Sequence, residues 1–214
     1  MTTYTWPTPA ATGSAFNHAA ASVGFIQNQV MSPSMFNGNV QVVTLPGARL
    51  RAQITFPEHS YAQRAALEAF LNRVSGMEHR IALFDMSRSV PRGTIALSSV
   101  TMSAASQFAT TVTLNNCGAN ATLLAGDWFR VVLSTGLFQM LQATQDFTAN
   151  GSGVMTLTDG IRPGLRSSVA GGAAVVTDHP TALYVIMEGD GLMIPRGAGG
   201  KCPEFTTELM EMFS

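Results

Sequence analysis

A chain of 214 residues has room for one large β domain or two modules of about 100 residues each, and two modules is the reading taken here. Charged residues make up only 12% of it and the hydrophobic fraction is 46%, against a usual charged share of about 25%. A formal net charge of −1 with a pI near 6.4 supplies no cationic footprint for a phosphate backbone, so nucleic acid is not an expected partner.

The missing charge has gone to Thr, Ser, Ala, Gly and Asn. Because large uncharged surfaces invite association, such a surface is expected to be covered by partners. Lys201 is the single lysine against eleven arginines, a bias that interfaces share and that a GC-rich coding sequence also produces. The N-terminus "MTTYTWPTPAATGSAF" has no basic segment followed by an apolar one, and no run approaches the ~18 apolar residues of a membrane span. Synthesis in the cytoplasm without membrane insertion is therefore expected. Cys117 and Cys202 are too few for a disulfide framework and read as free thiols.

In chain order, residues 1–22 are rich in Thr, Pro, Ala and Ser and carry Tyr4, Trp6 and Phe16 without a sustained period. This predicts an N-terminal arm, whose aromatics would dock on a neighbour rather than stay in water. "RLRAQITF" then alternates, with Leu50, Ala52, Ile54 and Phe56 on one face of a half-buried strand. Pro57 ends it. "SYAQRAALEAFLNRVSG" predicts a helix over 61–75: Ser60 and Gln63 match a capping box, and Ala66, Leu67, Phe70, Leu71 and Val74 form an apolar stripe. Arg64 and Glu68 would pair on the polar face, and Gly76 suits a left-handed C-cap. "HRIALFD" follows as a short strand.

From residue 95 every element reads as β. "IALSSVTMS", "ATTVTLNN", "DWFRVVL", "GLFQMLQATQDF" and "GVMTLT" are short runs separated by turn-rich stretches, a pattern of small barrels and sandwiches. Two more strands flank Asp178, His179 and Pro180. "EFTTELMEMF" closes the chain as a strand with Leu209 and Phe213 turned inward, and it is expected to return to the N-terminal sheet. The fold class is thus mainly β: a β-sandwich domain (23–92 and 190–214) carrying one amphipathic helix, with an inserted all-β, barrel-like domain (93–189).

Chemistry is sparse. His18, His59, His79 and His179 lack metal-ligand spacing, so no metal is expected. Ser152 in "NGSGV" lies between two strands and lacks the nucleophile-elbow frame. Cys202 has only Lys201 nearby in sequence to lower its pKa. Glu188 and Asp190 are the one close carboxylate pair of the β region and read as a solvated strand end. "GAGG" at 197–200 lacks a phosphate-loop frame. No catalytic residue, cofactor or enzymatic activity is expected. In "GDWFRVVLSTGLFQM", Trp128 and Phe129 point to opposite faces, as do Leu137 and Phe138, so each strand has an outward apolar residue to spend on a partner. Trp6, Trp128 and Phe138 are the expected partner-contact residues, and Asp127 reads as a turn residue.

The order "RLRAQITFPEHSYAQRAALEAFLNRVSGMEHRIALFD" followed by "PRGT" resembles the distal tail (tail-tip) proteins of long-tailed bacteriophages. "LLAGDWFRVVLSTGLFQMLQATQDFTANGSGVMTLTDGIRPGLR" is similar to a segment that recurs in such virion proteins, through Gly126, Asp127, Trp128, Phe129, Gly136, Leu137, Phe138 and the turn from Gly151 to Gly153. Gly164 interrupts the Pro-Leu-Arg run of that pattern. The resemblance spans roughly residues 48–188. It implies a non-enzymatic, homo-oligomeric ring, a hexamer, at the virion's tail tip, with the tail tube protein on one side and the hub or spike protein on the other. Two alternatives stay open: a carbohydrate-binding module for host-surface recognition that uses Trp128 or Phe138 as platform, and a head-to-tail neck protein. An enzyme such as a wall hydrolase would need partners for Glu188 or Cys202 that the sequence does not disclose.

Overall fold

The computed structural model describes residues 2–6, 18–33, 39–74, 78–187 and 201–212, with the side chains of 44–47 outside the description. The chain is mainly β and carries one helix among these residues. It divides into two compact units, the first from residues 1–24, 50–87 and 181–214, the second from 25–49 and 88–180.

The first unit begins with β1 (Thr3–Thr5). The long strands β2 (Ala20–Pro33) and β3 (Val40–Phe56) follow, and each runs through both units. After β4 (His59–Ser60) come α1 (Tyr61–Val74) and β5 (Arg80–Phe84). The second unit holds β6 (Thr101–Met102), β7 (Val112–Asn115), β8 (Thr122–Leu123), β9 (Trp128–Val132), β10 (Phe138–Ala143), β11 (Phe147–Thr148), β12 (Met155–Leu157), β13 (Ile161–Arg162) and β14 (Ala173–Val176). β15 (Thr181–Ile186), β16 (Lys201–Cys202) and β17 (Phe205–Glu211) return to the first.

A six-stranded sheet in the order β1-β5-β15-β17-β3-β2 organises the first unit, and β4 pairs with β16 beside it. The alternation in β3 works as the pattern predicts, with Leu50, Ala52, Ile54 and Phe56 all at most 1% exposed. β17 lies antiparallel to β3, matching Phe205 with Phe56 and Leu209 with Ala52. Its buried Glu211 side chain accepts a 2.8 Å hydrogen bond from the Leu50 amide, which gives an otherwise costly buried polar group a fixed donor.

The capping box at the helix start is formed. The Ser60 amide donates to Gln63 Oε1 at 3.1 Å, and the Gln63 amide reaches Ser60 Oγ at 3.5 Å. The buried stripe is Arg64, Leu67, Leu71 and Val74, at spacings of three and four. This corrects two assignments: Ala66 is exposed, and Arg64 is buried rather than on the polar face. The guanidinium lies 3.9 Å over the Phe205 ring, and burial pushes its pKa down. The Gly76 cap and Phe213 fall outside the described residues.

The N-terminal residues also differ from expectation. β1 pairs in parallel with β5, Thr3 opposite Arg80 and Thr5 opposite Ala82, so residues 3–5 are an edge of the sheet. Trp6 is 2% exposed, with its ring 6.1 Å from Phe56 in a stacked arrangement and 5.6 Å from Phe70 edge-on. The hydrophobic cost of a solvated indole is met inside the same unit instead of on a neighbour. The unit boundaries shift as well. β15, expected in the inserted domain, lies between β5 and β17, while residues 25–49 belong with the barrel-like unit.

In the second unit a seven-stranded sheet, β12-β7-β6-β14-β9-β10-β13, curls into a nearly closed barrel, and β8 pairs with β11 beside it. Its core includes Met102, Leu114, Leu123, Phe129, Val131, Leu141, Leu157, Ile161 and Leu165. The "PRGT" and "LLAGD" stretches meet here. Asp127, 2% exposed, accepts hydrogen bonds from the amides of Arg92 (3.1 Å), Gly93 (3.2 Å) and Leu124 (2.9 Å), tying "PRGT" to "LLAGD". Gly93 is required at that junction, since a Cβ would sit 2.1 Å from the Thr122 carbonyl oxygen.

Candidate functional site

Among the described residues, His59, His79 and His179 have separate local partners. The His59 ring is buried with Nδ1 against the Pro57 carbonyl oxygen, the His79 ring meets Tyr4 edge-on at 5.5 Å, and His179 Nδ1 contacts the neighbouring Asp178 at 2.6 Å. Among the described residues no group of three His, Cys, Asp or Glu is placed to hold a metal ion, and no helix is long and apolar enough to cross a membrane. Ser152 lies in a turn where its amide donates to Asn150 Oδ1 at 3.0 Å. Cys117 and Cys202 are free and buried, and burial pushes the Cys117 thiol up to about 11. Glu188, Asp190 and "GAGG" lie outside the described residues.

Of the three expected contact residues, Trp6 is buried in the first unit as described above. Trp128 and Phe129 do face opposite sides of β9, with Phe129 in the barrel core. The outward Trp128 is nevertheless only 2% exposed. It is covered by the Phe25 ring at 5.3 Å, and the Arg88 guanidinium lies 5.4 Å from its centre. Sequence spacing could not disclose this cover, because Phe25 is about a hundred residues away. The carbohydrate reading thereby loses its indole platform. Phe138 remains 37% exposed, with the Arg130 guanidinium 4.4 Å over its ring.

The surface that sequence reasoning missed is made by β2 and β3. Near their Phe25 and Ala48 positions they are held to the barrel, through the Trp128 contact and through a 3.0 Å hydrogen bond from Arg166 to the Ala48 carbonyl oxygen. Between those anchors the strands are open. β17 pairs with β3 only from Arg51 to Phe56, so the stretch before it is a ribbon two strands wide. Ile26 through Pro33 and Val40 through Val43 are exposed on both faces. The ribbon displays Ile26, Val30, Met31, Val40, Val42 and Val43, at 40 to 65% exposure.

Its electrostatics are equally unusual. Residues 1–48 contain no Asp, Glu, Lys or Arg, and neither do residues 93–126. β2 is an edge of its sheet, and solvent-exposed edges are normally guarded by Lys, inward charges or Pro. Here only Pro33 at the end of β2 serves as such a guard. A signal was present in the sequence as a 48-residue stretch free of charge, but it is easily read as a disordered arm.

No protein-family model matches the sequence, and no curated protein matches it either.

Proposed function

We propose that this chain is a non-enzymatic structural protein of a phage tail, assembling as a hexameric ring at the distal end, where it joins the tail tube to the hub or spike. The observation that carries the reading is the uncharged β2–β3 ribbon with apolar side chains on both faces. An isolated two-stranded ribbon is marginal in water and an unguarded edge invites pairing, so such a segment is best accounted for by burial between subunits. The position proposed for it in the virion rests on the resemblance of roughly residues 48–188 to tail-tip proteins. The low charge agrees with a surface mostly covered in the assembled particle.

Light scattering with negative-stain imaging of the purified chain tests the assembly: closed rings are expected, and a monomer at all concentrations contradicts it. Antibodies to the purified chain test the position on particles that carry it. Decoration of the tail end far from the head is expected, whereas decoration next to the head would make it a neck protein.

A further inference from the structure

The turn that joins β11 to β12 carries Asn150 followed by Gly151, the one Asn-Gly pair among the described residues, and both are exposed. The Asn150 side-chain oxygen accepts hydrogen bonds from the amides of Ser152 and Val154, each at 3.0 Å. Its main chain is held as firmly. The Asn150 amide donates to the Val154 carbonyl oxygen at 2.8 Å, and the Asn150 carbonyl oxygen accepts from the amides of Gly153 at 2.9 Å and Asn120 at 3.2 Å. The side chain is thus folded along its own backbone as an Asx turn, closing a ring that includes the Gly151 amide nitrogen.

A carbonyl whose oxygen receives two N–H donors is polarised, and donors at about 2.7–3.1 Å stabilise the oxyanion that forms when a nucleophile adds to it. The nucleophile at hand is the Gly151 nitrogen. Its N–H makes no hydrogen bond to any described residue. Position 151 has no Cβ, and the space where one would stand is open for 4 Å, so neither a side chain nor a neighbour blocks the approach. Attack within the chain also spares the entropy of bringing two molecules together. Every other described asparagine, at 28, 39, 72, 115, 116 and 120, precedes a residue with a Cβ.

We infer that Asn150 is a self-modification site, where the side chain deamidates through a succinimide. The Gly151 nitrogen bonds to Asn150 Cγ, the Cγ–Nδ2 bond breaks, and ammonia leaves with the proton lost from the Gly151 amide. Water then adds to either ring carbonyl and opens the ring, giving aspartate or isoaspartate; no electron is gained or lost, and water is the only co-reactant. The product places a carboxylate in the stretch 147–158, which contains no Asp, Glu, Lys or Arg. Isoaspartate also routes the main chain through Cγ. The bonds from Gly153 and Asn120 to the Asn150 carbonyl oxygen then lose their geometry, and these help to join the turn to residues 117–120, along with the Cys117 amide bond to the Gly153 carbonyl oxygen at 2.9 Å.

Mass spectrometry of tryptic peptides from the full chain, kept folded in mildly alkaline buffer, tests it. The peptide that follows Arg130 and ends at Arg162 has Asn150 as its single asparagine. It is expected to gain the mass of OH replacing NH2 and to split into aspartate and isoaspartate forms, at least about 10-fold faster than the Gly93–Arg130 peptide with Asn115, Asn116 and Asn120. Gly151→Val puts a branched side chain into the open space and is expected to leave the circular dichroism spectrum native while slowing the reaction at least about 10-fold. In urea the two donors leave the side chain, so the folded chain is expected to react at least as fast as the unfolded one. Overturning results are no mass gain at Asn150, a folded Gly151→Val chain reacting at the native rate, or a folded native chain reacting more slowly than the unfolded one.

Discussion

Asp127 shows how one side chain can decide a local structure. Its carboxylate gathers the amides of Arg92, Gly93 and Leu124, from segments about thirty residues apart, in a setting where lost acceptors are not fully replaced by water. Asp127→Ala leaves three donors without that acceptor and is expected to cost about 3 kcal/mol in urea denaturation, with Asp127→Asn costing less because one carbonyl oxygen remains. A loss under about 0.5 kcal/mol would show that the junction holds without it.

Cys117 gives a residue-scale prediction of a different kind. Burial raises its pKa from 9.0 to about 11, so the native thiol keeps its proton at pH values where an unfolded one loses it. The stabilisation is complete below about pH 9 and is lost as pH rises toward 11. At pH 8 only about one native molecule in a thousand has a thiolate at this position. A disulfide-exchange reagent should therefore leave Cys117 unmodified in the native chain and modify it promptly in urea; rapid native reaction at Cys117 would contradict its placement.

Among the elements, those set by local chemistry were legible. The capping box of α1 needs only Ser60 and Gln63, and the alternation of β3 needs only its own residues. The short barrel strands β7, β9, β10, β12 and β14 fall inside the runs that their turns delimit. Elements settled by distant partners were not legible. β1 is three residues long and has no period to read; its place comes from pairing with β5 about 77 positions on. Arg64 occupies the apolar stripe because the Phe205 ring receives it, and Trp128 is covered because Phe25 reaches it. The candidate surface was the least legible part, since a charge-free sequence reads alike in an arm and in an exposed ribbon.

The anchoring of β1 is testable at the same scale. Trp6→Ala removes an indole that is 2% exposed and contacts both Phe56 and Phe70. It is expected to cost about 3–5 kcal/mol and to release β1 from β5, seen as faster amide exchange over residues 3–5. Unchanged stability would restore the reading of this segment as an arm.

For the whole molecule, the two units are unequal in what they expose. The first buries Leu50, Ile54 and Phe56 of β3, its helix stripe and Trp6, while residues 25–49 carry the open ribbon. The proposed association surface therefore lies in the second unit. A net charge of −1 offers little repulsion between copies. The most direct measurement is amide hydrogen exchange across a concentration series. Residues 25–33 and 40–49 are predicted to exchange rapidly in dilute samples and to become protected as the oligomer forms, while the barrel core stays protected throughout. Assembly that leaves these two segments exchanging rapidly would contradict the ribbon as the subunit interface.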